Sequence, residues 1–146
     1  YATESGLSKI SEYDLSDVEI VEVTEAVMKA MSDTVTPQGL ISLCYKPESD
    51  ISSLIATGKS TYIYLHQIQD PGNAGTILRT ADAMGISAVI TSPDSVDMYS
   101  PKVVRSTAGS LWHLPIYEDV EFANLDKKLP SDVAIEYLKR ELNKHY

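Results

Sequence analysis

Cysteine is almost missing from this chain. Of 146 residues only Cys44 carries a thiol, so no internal disulfide can brace the fold. That usage fits a reducing, cytoplasmic setting. Cys44 lies in the apolar run Leu40–Tyr45, which reads as a strand with the thiol buried as filler. No stretch approaches the ~20 consecutive apolar residues of a bilayer-spanning helix, and no basic-then-apolar leader opens the sequence. No membrane partner is therefore expected. Cations are scarce too: 12 Lys and Arg stand against 21 Asp and Glu, a net charge of −9. Taken whole, that balance argues against nucleic-acid binding, because phosphate affinity comes from Lys and Arg. The three histidines, His66, His113 and His145, are scattered, so no metal site is expected. There is no Ser-His-Asp order and no P-loop. The single Trp112 reads as core or subunit interface rather than as a platform for a base.

What is present is an ordinary globular composition, 43% hydrophobic, at a length that suits one domain. The acidity is uneven. Residues 1–60 hold ten acids and four bases, residues 61–117 four and three, and residues 118–146 seven and five. The middle stretch is nearly neutral, and its bases are Arg79, Lys102 and Arg105. A local basic site can sit on an acidic globule.

The chain is organised around Asp70–Ala81. The apolar run Tyr62–Leu65 before it reads as a buried strand. Asp70-Pro71-Gly72 is turn chemistry, and Asn73 stands where a helix N-cap belongs. Ile77, Leu78, Ala81 and Met84 fall at helical spacing and make one core face, with Gly75, Arg79 and Asp82 opposite. A bare-backbone Gly75 lets a ligand or another backbone approach, and Arg79 one turn on can grip a phosphate. Gly85 ends the helix. Ser87–Thr91 is the next strand, Pro101 opens a helix running to about Gly109, and Leu111–Ile116 is a third strand. Lys102 and Arg105, one turn apart, share a face able to contact phosphates. Alternating strands and helices predict an α/β fold with a mostly parallel sheet. Elsewhere Tyr1–Leu7 reads as the last strand and turn of something longer. Thr24–Met31, Asp50–Ala56, Glu121–Leu129 and Asp132–His145 read as helices, the last with Ala134, Tyr137, Leu138 and Leu142 on one face.

From Gln69 to Pro115, without an obvious gap, the sequence resembles the SpoU (TrmH-like) branch of the knotted SPOUT RNA methyltransferases. The first motif lies in Gln69–Gly85 and a second stretch in Val96–Ser110. The resemblance implies a trefoil-knotted α/β domain that works as a homodimer and transfers methyl from S-adenosylmethionine to a ribose 2′-oxygen of RNA. It implies a catalytic role for Arg79 and Asn73, with Gly75 as active-site backbone, and places Lys102 and Arg105 on the RNA. Thr36-Pro37-Gln38-Gly39 resembles the opening of the methyltransferase domain. Residues 1–35 then resemble the tail and linker of an L30e-like RNA-binding domain, which favours ribosomal over transfer RNA. The family's Gly-x-Glu and Ser-Leu-Asn motifs, which form the cofactor pocket, are absent, so no cofactor residue is assigned. An internal segment is expected to be missing from residues 36–146, near 126–132. Three alternatives stay open: a transfer-RNA enzyme, a non-enzymatic RNA-binding relative, and a small-molecule nucleotide enzyme. The last is disfavoured because Gly72-x-x-Gly75 lacks a third glycine and the ribose-binding acid.

Overall fold

The computed structural model describes residues 1–47, 50–51, 54, 61–128 and 135–138. The chain forms two units, Tyr1–Lys46 and Pro47–Tyr146.

In the first unit, α1 spans Glu4–Lys9 and α2 spans Glu25–Met31. Each begins at a threonine whose hydroxyl accepts from a backbone N–H three residues on: Thr3 from Gly6 at 3.1 Å and Thr24 from Val27 at 3.3 Å. The helix expected at Thr24–Met31 forms, with Met28 buried. The strand expected at Tyr1–Leu7 does not. Ala2 makes only isolated bridges to Glu22 and Leu40, and the chain turns at once into α1. Thr36–Gly39 lies inside this unit. The Leu40–Tyr45 strand does not form either. Leu40 bridges Ala2 and Ile41 N donates to Tyr1 O at 2.9 Å, but beyond that point no neighbouring strand is described to receive it. Leu43 and Tyr45 are exposed, and Cys44 is exposed rather than buried.

The second unit is a four-stranded parallel sheet in the order β3-β2-β1-β4. Its strands are β1 (Tyr62–Leu65), β2 (Ala88–Thr91), β3 (Ile116–Tyr117) and β4 (Ile135–Leu138). Register runs Tyr62 to Ala88 on one side of β1 and Tyr62 to Ile135 on the other. Every residue of β1 and β2 is buried, as expected of strands covered on both faces. The period of two divides them. Ile63, Leu65 and Val89 face a core with Leu78, Ala81, Met98, Val103 and Leu111, while Tyr62, Tyr64, Ala88 and Ile90 face Tyr117 and Leu125. Three helices connect the strands: α3 (Pro71–Ala83), α4 (Pro101–Ser106) and α5 (Phe122–Lys128). The helix expected over Glu121–Leu129 is α5.

Two expected elements differ. Leu111–Ile116 is not one strand: Gly109, at φ +99°, leads into a 3₁₀ turn at Ser110–Trp112, and pairing starts only at Ile116. Pro115, which has no N–H for a ladder, offers its carbonyl alone, accepting from Val89 N at 3.0 Å. Trp112 is 61% exposed and so is not core. Within the expected Asp132–His145 helix, Ile135–Leu138 is β4, because pairing there satisfies the backbone edge of β1 that would otherwise stay open. The remainder of that helix, most of Asp50–Ala56, and the expected missing segment from residue 129 on fall outside the described residues.

Candidate functional site

The site is built on α3. Its N-cap is Asp70, not Asn73: Asp70 Oδ1 accepts from Asn73 N at 2.7 Å. Pro71, with preset φ and no N–H to satisfy, takes the first helical position and moves the start back. Asn73 is thus the third residue of the helix, half-buried. At the other end, Gly85 (φ +68°) donates to Asp82 O and Ile86 N to Ala81 O, both at 3.0 Å, the paired bonds that close a helix through a left-handed glycine.

The buried stripe of α3 is Ala74, Gly75, Leu78 and Ala81, with Ile77 packed at its margin. Two expectations change here. Met84 is 73% exposed because it lies past the last helical residue, and Gly75 is buried rather than on the open face. A side chain at Gly75 would overlap Ser106 of α4. What approaches the bare backbone is a neighbouring helix. The Ser106 hydroxyl shares its one hydrogen between Pro71 O at 2.9 Å and Val103 O at 2.8 Å, linking the end of α4 to the start of α3.

Arg79 projects from α3 into solvent, and no ion pair to it forms among the described residues. It lines an open groove of about 530 Å³ with Thr76, Thr80, Asp82, Ala83, Met84 and Ser110. At the end of this groove His113 Nδ1 meets Asp82 Oδ2 at 2.9 Å. Hydrogen bonds from His113 and then Ser110 hold the Asp82 carboxyl below the usual carboxylate range. Lys102 and Arg105 are exposed on α4, and neither they nor Asn73 line the groove. The structure therefore joins Arg79 to Thr76, Thr80, Asp82, Ser110 and His113. Sequence reasoning set His113 aside as scattered. A signal existed in Thr76, Arg79, Thr80 and Asp82, polar residues at helical spacing, but nothing in the sequence ties residue 113 to residue 82.

Two cavities lined by described residues of the second unit fit S-adenosylmethionine poorly. In the groove, the Arg79 guanidinium would face the cofactor's cationic sulfonium. A second cavity, about 390 Å³ at the end of β1, is lined by Tyr64, His66, Glu121 and Phe122. There the Tyr64 hydroxyl already bonds Val120 O at 2.9 Å, leaving two polar heads for an adenine, a ribose and an amino acid. Among the described residues no cluster of three or more His, Cys, Asp or Glu could hold a metal ion, and no helix is long and apolar enough to cross a membrane.

Residues 60–144 match the sequence model of the SpoU rRNA Methylase family. The chain is similar to rRNA methyltransferase 3A, mitochondrial, of Danio rerio, 33% identical over 125 residues, covering 83% of this chain and 29% of that protein. It is also similar to the 23S rRNA (guanosine(2553)-2'-O)-methyltransferase RlmP of Bacillus subtilis (strain 168), 36% identical over 94 residues, covering 64% of this chain and 36% of that one. Among solved structures it resembles the AdoMet-bound rRNA methyltransferase from Sinorhizobium meliloti. The TM-score is 0.72 at 28% identity, over 86% of this chain and 48% of the other. The chain thus spans about a third of the curated relatives' length.

Proposed function

We propose that this chain, which belongs to the SpoU rRNA Methylase family, is part of an enzyme that methylates the ribose 2′-oxygen of ribosomal RNA. The observation that carries the reading is Arg79: a guanidinium unpaired among the described residues, held on a rigid helix over an open polar groove. A ribose hydroxyl becomes a nucleophile as negative charge develops on its oxygen. An Arg cannot remove the proton, since it stays protonated, but its planar fork can stabilise that oxygen and hold the adjoining phosphate. Asn73 supports the start of the same helix, and Gly75 lets α4 close on it. Lys102 and Arg105 meet flanking phosphates outside the groove. The methyl donor is S-adenosylmethionine, as bound in the Sinorhizobium meliloti relative. No residue is assigned to hold it, and no step is assigned through it.

The wider reading follows the family. Residues 36–146 belong to a trefoil-knotted, dimeric, cytoplasmic methyltransferase domain, and residues 1–35 to the tail of an L30e-like RNA-binding domain. Ribosomal RNA is favoured because relatives named for it match across most of this chain. A second reading is a relative that binds RNA without methylating it. Mapping 2′-O-methyl sites in ribosomal RNA with and without the gene separates the two. Loss of one defined site supports the enzyme; an unchanged map contradicts it.

A further inference from the structure

We infer that the groove beside Arg79 is a ribose-reading subsite: it seats a nucleotide flanking the target and tells RNA from DNA by accepting a hydrogen bond from that nucleotide's sugar hydroxyl. The inference rests on the RNA-methyltransferase reading above and adds to it which atoms recognise the sugar. Thr76 Oγ1 donates its one hydrogen to Gly72 O, and Thr80 Oγ1 donates its own to Thr76 O, both at 2.9 Å. A hydroxyl has one hydrogen and two lone pairs, so these two can only accept from a ligand. Asp82 is ionised and also accepts only; His113 at 2.9 Å and the Ser110 hydroxyl hold it in place. The groove therefore presents three acceptors beside one guanidinium. A bare phosphate, which has no protons to give, satisfies the guanidinium and is repelled by the carboxylate. A ribose-phosphate satisfies both, its phosphate on Arg79 and its 2′-hydroxyl donating its one hydrogen to the Asp82 carboxylate, with the Thr80 oxygen alongside. DNA lacks that donor and leaves them unmet. The Ala83 and Met84 side of the groove offers an apolar shoulder to the base.

The test compares full-length protein binding to a single-stranded RNA and to the DNA of the same sequence, by fluorescence anisotropy at fixed salt. Wild type should prefer RNA by about tenfold, the scale of one hydrogen bond donated by the sugar hydroxyl to a carboxylate. Thr80→Val combined with Asp82→Ala removes both acceptors and the carboxylate's repulsion of phosphate, so it should strengthen DNA binding and bring the RNA-to-DNA ratio near one. Thr80→Ser, which keeps the acceptor, should behave as wild type, showing that the lost preference of the double variant is not misfolding. If the double variant keeps the wild-type RNA-to-DNA ratio, the subsite is overturned while the methyltransferase reading stands. If wild type binds neither polymer, both fall.

Discussion

In the proposed reading, Arg79 is the residue on which the chemistry turns. Replacing it by Ala should leave the fold intact, since the side chain is exposed and touches no core residue. It should cost methyl transfer by the full-length protein about 100-fold or more, the scale for removing one donor aimed at developing charge. Arg79→Lys should fail as well, because a point charge does not reproduce a planar fork. Single-turnover kinetics checks both, and near-wild-type rates in either would leave Arg79 as surface. Asp82 offers a second handle. Its folded pKa is depressed by His113 and Ser110. Its contribution to stability is fully present above the unfolded-state value of about 4 and is lost as pH falls through the lower folded value. An NMR titration of the Asp82 carboxyl should show a midpoint below the ordinary range, and His113→Ala should move it up. No movement would mean the pair does not act as drawn.

Among the elements, the contact between α3 and α4 fixes the site. Gly75→Ala should force the helices apart and destabilise the domain by about 1–3 kcal/mol, the usual cost of overpacking. A urea midpoint unchanged by that substitution would contradict the close approach at Ser106. The elements also show how far sequence reaches. β1, α3 and β2 were legible because an apolar strand, a Pro-Gly turn, a 3.6-residue stripe and a closing glycine all agree. Asn73 was misread as the cap because capping preference alone does not reveal that Pro71 starts the helix earlier. β4 was misread because a short run such as Ile135–Leu138 carries both periods, and only the open edge of β1 chooses between them. At the groove, the exposed position of Arg79 opposite the core stripe was legible from helical spacing. The Asp82–His113 bond joins residues 31 apart and needs the fold to be seen.

For the whole molecule, the acidic balance bounds how RNA is held. With Arg79, Lys102 and Arg105 as the bases near the site, log affinity against log salt should fall with a slope of about −2 to −3 per subunit. A much steeper slope, measured by titration at several salt concentrations, would mean that other bases hold the RNA. The 146-residue chain made alone should bind S-adenosylmethionine poorly in calorimetry, because the groove beside Arg79 and the cavity at the end of β1 suit it poorly; tight binding would show that other residues complete a pocket. The most direct measurement is methyl transfer itself. Full-length protein is incubated with unmodified ribosomal RNA and labelled S-adenosylmethionine, and the RNA is digested to nucleosides and separated. The label should appear in one 2′-O-methylnucleoside and vanish with Arg79→Ala. Label on a base, or equal transfer by the variant, would contradict the account.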